Sequence, residues 1–248
     1  MTRYFISVLY KGTQYAGFQI QDNANSIQFE VEKALKTFFK TSFQLTCSSR
    51  TDAGVHALSN YFHFDTDVMP ADEVLNKAVY NLNAILPRDI VVKVIFPVLD
   101  HWHSRFTASA REYWYYLYQN KDPFLSDRAF FYPYKLDLIA LNKAASLLKE
   151  YTDFTSFSKR NTQVKTFNCS VEKSEWIEAN GMIIYQVKAN RFLRGMVRGL
   201  VGTMLRVGSH KISLDEFSEI IESKNCSKAD FSVPPQGLFL IDVFYPGL

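Results

Sequence analysis

A carboxylate stands two positions from a guanidinium in Ser48-Ser49-Arg50-Thr51-Asp52-Ala53-Gly54-Val55-His56-Ala57. Asp52 has the chemistry of a nucleophile or a general base, and Arg50 that of a group that positions it or grips an anion. Residues 42–47 and 59–65 alternate in polarity on either side and read as strands. The polar stretch is then a loop between strands, where a rigid scaffold displays functional groups. The same residue types also make a good turn, because Asp accepts a local backbone bond and Gly supplies a positive φ. Taken alone, an Asp before Ala-Gly is more often a turn former or helix cap than a nucleophile.

Two further stretches have chemical potential. Arg191, Arg194 and Arg198 stand at i, i+3 and i+7, so a helix over residues 193–207 would place them on one face, with Gly195, Gly199 and Gly202 forming a stripe of small residues. Glycine in a helix costs about 1 kcal/mol relative to Ala, which points to close backbone packing or to a ligand approaching closely. The spacing alone reads equally well as a packed core helix with solvated arginines. Residues 108–119 are β-rich and aromatic, with Tyr113, Trp114, Tyr115, Tyr116 and Tyr118. Tyr113 and Tyr115 share a strand face opposite Trp114; packing is the preferred role for Tyr115, Tyr116 and Tyr118.

The elements that must position these residues are legible from periodicity. Residues 3–10 read as a strand. Ser26 reads as the N-cap of a helix running to about Phe39, whose apolar face holds Phe29, Val31, Ala34, Leu35 and Phe38. A second helix starts at Pro70-Ala71-Asp72-Glu73, with Val74, Leu75, Ala78, Val79 and Leu82 at helical spacing. Residues 89–98 form an apolar run and read as a buried strand. The first half is thus β-α-β-β-α-β. The second half echoes it loosely: the aromatic strand, a helix over 136–151, a hairpin across Ala179-Asn180-Gly181, helices over 193–207 and 214–223, and a closing strand over 237–245. The expected fold class is α+β: two α/β halves, residues 1–105 and 106–248, each with its helices on one side of an antiparallel sheet.

Composition narrows the function. The chain has 248 residues, 47% hydrophobic and 21% charged, as expected of a globular protein. No apolar run reaches membrane-spanning length, and the N-terminus enters a strand-like pattern at once, leaving no room for a signal peptide. Cys47, Cys169 and Cys226 are too dispersed for zinc or a disulfide framework, which favours a reducing cytoplasm. His101 and His103 could share a strand face, but no third metal ligand is evident, so ordinary polar roles are preferred and no metal is expected. The net charge is only +3, yet residues 156–211 carry ten basic residues, Lys159 and Arg160 among them, against Glu172, Glu175 and Glu178. Such a local surplus fits a polyanion partner, although a merely solvated basic face is common.

The string Arg50-Thr51-Asp52-Ala53-Gly54-Val55-His56-Ala57 resembles the signature of TruA-type tRNA pseudouridine synthases, with Ser49 where that family usually has Gly. Residues 190–202 resemble the family's Asn-x-Phe-Leu-x-x-Met-Val-Arg-x-Leu-Val-Gly segment. Ala110-Arg111-Glu112-Tyr113-Trp114-Tyr115 resembles its Ala-Arg-x-Tyr-x-Tyr segment. Residues 10–19, Asp153-Phe154-Thr155-Ser156-Phe157 and Pro235-Gln236-Gly237-Leu238-Phe239-Leu240 extend the likeness along nearly the whole chain, whereas residues 158–168 follow the pattern poorly.

The resemblance implies the pseudouridine synthase fold, with ferredoxin- or RRM-like halves flanking a central RNA-binding cleft. It implies isomerisation of uridine at positions 38, 39 and 40 of the tRNA anticodon stem-loop, without a cofactor, by a cytoplasmic homodimer. It makes Asp52 the catalytic carboxylate and Arg198 its partner. It lays Tyr113 against the target base, and gives Arg50 a part in extruding the nucleotide or holding its phosphate. Arg191, Arg194, Lys159 and Arg160 are then candidates for stem phosphates. Two rivals remain. A catalytically silent RNA-binding protein of the same fold would not need Asp52. A glycoside hydrolase would need a carboxylate pair, for which Asp65 and Asp67 are the only suggestion.

Overall fold

The computed structural model describes residues 1–67, 72–160 and 164–248, without the side chains of 72–74. In chain order the elements are β1 (Thr2–Tyr10), α1 (Ile27–Phe39), β2 (Thr46–Cys47), β3 (His56–Thr66), α2 (Asp72–Ile85), β4 (Ile90–Val98), β5 (Ala110–Tyr118), β6 (Phe130–Phe131), α3 (Leu138–Leu147), β7 (Val171–Ala179), β8 (Met182–Ala189), α4 (Met196–Gly208), α5 (Leu214–Glu222) and β9 (Leu238–Phe244). The architecture is mixed α+β with mostly antiparallel strand pairing. Two compact units divide the chain: Met1–Ser109 with Leu240–Leu248, and Ala110–Phe239.

In the first unit the strands run β4-β1-β3-β9, with the short β2 on β3. Tyr4 to Val8 are buried without a break. Sequence alternation predicts one buried face, but both faces are covered. On one face Tyr4 stacks on Phe64 and Phe43 closes edge-on. On the other, Phe5 meets Trp102 and Tyr245, contributed by segments that no local pattern assigns to this sheet. Ser26 caps α1 as its position predicts, its hydroxyl accepting from the Phe29 amide. Phe29 itself is 47% exposed and Phe38 only half-buried, so the buried face of α1 is Ile27, Val31, Ala34 and Leu35. The expected start of the second helix at Pro70 and Ala71 lies outside the described residues.

The Asp65 and Asp67 pair is consumed by ion pairs. Arg3 grips Asp65 through two bonds of 2.7 Å, and Asp67 meets the N-terminal amine at 2.8 Å. Asp67 lies beyond the end of β3. Two carboxylates spent on cations in this way are not free to act as an acid and base pair, which removes the only support for a glycosidase.

His63 is buried on β3, where its Nδ1 accepts from the Ser104 amide at 3.2 Å and meets the Ser104 hydroxyl at 2.9 Å. Burial, helped by neighbouring His103, lowers its pKa to about 4. The unfolded chain takes up this proton near the ordinary value of about 6.5, so the native state binds fewer protons between those values. Stability from the neutral ring is complete above about pH 6.5 and is lost as pH falls toward 4. Urea midpoints at pH 7 and 5 should therefore differ more for the native sequence than for His63→Asn. Equal differences would show that His63 does not set the slope.

In the second unit β5-β8-β7 form the antiparallel sheet, with β6 parallel to β5. The Asn180-Gly181 turn predicted from sequence joins β7 to β8, both residues at positive φ. Helix α3 packs on β7 and is capped by Asp137, which accepts from the Ile139 and Ala140 amides.

Candidate functional site

The Asp52 loop leaves β2 and enters β3, and its anchors come from far along the chain. Between Val8 and Tyr10 the β1–β3 register shifts. Such bulges re-aim side chains, and here Tyr10 points its hydroxyl at the loop. That hydroxyl shares a 2.8 Å hydrogen bond with Thr51 Oγ1 and accepts one from Asn60 Nδ2 at 3.0 Å. Asn60, fully buried on β3, also donates to the Ser49 carbonyl and accepts from the Ser48 hydroxyl. The Phe18 amide donates to the Thr51 carbonyl at 3.1 Å. The far end is pinned by His56, whose Nδ1 accepts from the Gly12 amide at 3.0 Å. Gly12 lies so close that a Cβ would stand 2.0 Å from the Val55 carbonyl oxygen.

Within this frame the turn reading and the functional reading of Asp52 separate. A turn is present: the Val55 amide donates to the Asp52 backbone carbonyl at 3.2 Å, with Gly54 at φ 78°. The Asp52 side chain takes no part in it. Among the described residues of this unit no hydrogen bond or ion pair consumes its half-buried carboxylate. Thr51 beside it is buried and Arg50 is exposed. Arg50 lies near the buried Cys47 thiol, whose pKa burial raises to about 11 against the opposing pull of Arg50 and Arg105.

Tyr10 and Asn60 are the positioning residues that sequence reasoning missed. Each reads there as one more residue of an alternating strand. Tyr10→Phe should cost about 1 kcal/mol in stability and, if the loop carries a reaction, lower the turnover rate several-fold with KM nearly unchanged. Denaturant titration with steady-state kinetics checks both; an unchanged turnover rate would make the bond purely structural.

The second unit gathers the aromatic and basic candidates. Tyr113, on β5, is half-buried and meets Phe192 edge-to-face at 5.1 Å. Phe192 was not singled out from sequence, although it sits in the Asn190-Arg191-Phe192 stretch. Arg111 donates to the Asn190 carbonyl at 2.9 Å and ties β5 to this stretch. The Lys159 amide donates to the Arg194 carbonyl at 3.0 Å, and the Lys159 side chain lies against Gly195. Arg160 is exposed. Of the poorly matching residues 158–168, 161–163 lie outside the described residues. Tyr115 is buried and donates to the Pro234 carbonyl at 2.7 Å, the packing role expected of it.

The structure corrects the three-arginine face. Helix α4 begins at Met196, and Gly195 before it has φ 75°. Arg191 and Arg194 therefore precede the helix, and only Arg198 lies on it. The left-handed glycine breaks the periodicity that the spacing assumes. The glycine stripe does reflect close packing: a Cβ on Gly202 would stand 2.3 Å from the Asp230 carbonyl oxygen, and one on Gly199 would strike the Phe231 ring. Residues 230–233 can thus lie against α4, and their carbonyls hold Arg198, with Nε to Val233 at 2.8 Å and Nη2 to Phe231 at 3.4 Å.

The described residues thus combine an α+β fold, a carboxylate without a side-chain partner in its own unit on a pinned loop, and a stretch of aromatic and basic groups in the second unit. Comparison with known proteins makes this specific. A family model described as tRNA pseudouridine synthase matches residues 144–246. A "tRNA pseudouridine synthase A" of Parabacteroides distasonis is 43% identical over 99% of this chain and 97% of its own. Proteins of the same name from Bacteroides fragilis and an Exiguobacterium species are 44% and 38% identical, covering 98% and 99% of this chain and 96% and 98% of their own. The chain belongs to the tRNA pseudouridine synthase family, isomerases that convert uridine to pseudouridine in tRNA.

Proposed function

We propose that this enzyme isomerises uridine to pseudouridine at positions 38, 39 and 40 of the tRNA anticodon stem-loop, with Asp52 as the catalytic carboxylate. The observation that carries the proposal is the Asp52 loop, pinned at both ends while the carboxylate stays unspent. The reaction breaks the N1–C1′ bond, turns the base and joins C5 to C1′; C5 loses a proton and N1 gains one. Atoms and charge balance, so the conversion consumes no co-substrate. The target uridine leaves its stack, as in other base-flipping chemistry, and Arg50 assists the extrusion or holds the phosphate.

Tyr113 lies against the base, and Arg198 pairs with Asp52 and orients its carboxylate through a charge-assisted bond. The carbonyl grip on Arg198 supports that role by fixing its guanidinium. Arg191, Arg194, Lys159 and Arg160 bind stem phosphates. The sequence resemblance further supports two ferredoxin-like halves, divided near residue 105 and flanking an RNA-binding cleft, in a cytoplasmic homodimer. No described helix is long and apolar enough to cross a membrane.

An unmodified tRNA transcript tests the reading. Carbodiimide adducts mapped by primer extension should appear at positions 38–40 after incubation with the protein. Binding should weaken steeply with salt, log K falling linearly with log salt concentration as counterions are released. Tight binding without adducts would instead support the silent RNA-binding protein.

A further inference from the structure

We propose that Phe106 and Arg105 form a second nucleobase and phosphate platform beside the Asp52 loop, engaging an RNA nucleotide that flanks the target; this rests on the RNA substrate of the proposed function. Phe106 is 77% exposed, yet it is presented rigidly. His103 Nδ1 accepts from both the Arg105 amide at 3.0 Å and the Phe106 amide at 3.3 Å, and the His103 amide donates to Thr107 Oγ1 at 2.9 Å.

The histidine pair expected on a strand face thus lies in a turn after β4, where His103 organises the chain. The Phe106 ring sits 4.4 Å from the His103 imidazole, which sits 4.5 Å from His63, itself 6.3 Å from the core ring of Phe5. A column of rings therefore runs from the core to an exposed aromatic. The Arg105 guanidinium lies 5.8 Å from the Phe106 centroid.

The platform is tied to the catalytic loop within the same unit. Ser104 Oγ donates to the Thr46 carbonyl at 2.8 Å, on the short strand that runs into the loop. Arg50 and Arg105 both oppose, through their charge, the rise in the Cys47 thiol pKa that burial causes. A single exposed aromatic is ordinary on a protein surface. One locked in a hydrogen-bonded turn with an arginine near its ring, and tied through Ser104 to the strand that leads into the Asp52 loop, has the form of a base-stacking site. Planar rings and guanidinium groups both stack on bases, and arginine also grips phosphate.

The test uses the full-length protein and an anticodon stem-loop RNA. Pseudouridine formation by the native protein is measured first, because its absence would overturn the functional reading and this inference with it. Given activity, Phe106→Ala should raise KM about tenfold, within the range expected for loss of one stacked base, with kcat little changed. Phe106→Tyr should restore KM. Replacing the loop nucleotides next to the target one at a time by abasic sites should identify a position where the native protein loses affinity and Phe106→Ala does not. A native KM in Phe106→Ala, or an Ala variant as sensitive as the native protein at every abasic position, would overturn the platform while leaving the catalytic reading intact. Because the side chain is exposed, thermal melts of the variants should match the native protein.

Discussion

Asp52→Asn should abolish pseudouridine formation, lowering the rate about 10³-fold or more, while tRNA binding and the melting temperature stay close to native. The reasoning is local. The carboxylate accepts no bond from the described residues of its unit, and the turn it sits in is closed by its backbone carbonyl. An isosteric amide therefore removes the charge without disturbing a described partner within its unit. Most structural aspartates do not behave this way, because replacing them leaves a donor unsatisfied or a cation unpaired. Single-turnover assays and thermal melts on the same preparation separate the outcomes. Retained activity would take Asp52 out of the chemistry. Lost activity with a large fall in melting temperature would make it a structural residue.

Gly12→Ala should damage both stability and rate, although Gly12 bears no functional group. Its Cβ would stand 2.0 Å from the Val55 carbonyl oxygen and 3.1 Å from the Val55 amide nitrogen. Backbone cannot yield as a flexible side chain does. Relief requires moving the loop end, which breaks the Gly12 to His56 bond and displaces Asp52 three residues earlier. Overpacking of this kind costs about 1–3 kcal/mol, and catalytic geometry is sensitive to shifts of about 1 Å, which can cost about 10²-fold in rate. A drop in denaturant midpoint with a fall in kcat larger than any change in KM is the expected pattern. A native kcat would mean that the loop adjusts without moving Asp52.

Much of the architecture was legible in the sequence because helices and strands are encoded by short-range periodicity. The Ser26 cap, the Asn180-Gly181 turn and the order of the main elements follow from neighbours a few residues apart. The limits are equally local in origin. Residues 42–47 alternate throughout, yet only Thr46–Cys47 pair as a strand, because pairing depends on a partner as well as a pattern. Helical spacing placed Phe29 on the buried face of α1 and three arginines on one face of α4. The first failed because the neighbouring elements do not cover that part of α1, and the second because Gly195 adopts a left-handed conformation.

By itself the sequence determined that an aspartate lies in a loop between strands, that the chain resembles a family of RNA-modifying enzymes, and that its basic residues cluster in the second half. It could not determine which charged groups are spent. Asp52 and Asp65 are alike as residue types, but Asp65 is gripped by Arg3, 62 positions away, while no such partner among the described residues of its unit consumes Asp52. Likewise Tyr10 and Asn60 hold the loop from 41 and 11 positions away. Those pairings exist only once strands distant in the chain lie side by side. The availability of a carboxylate depends on what surrounds it in space, and so only the tertiary structure could decide it.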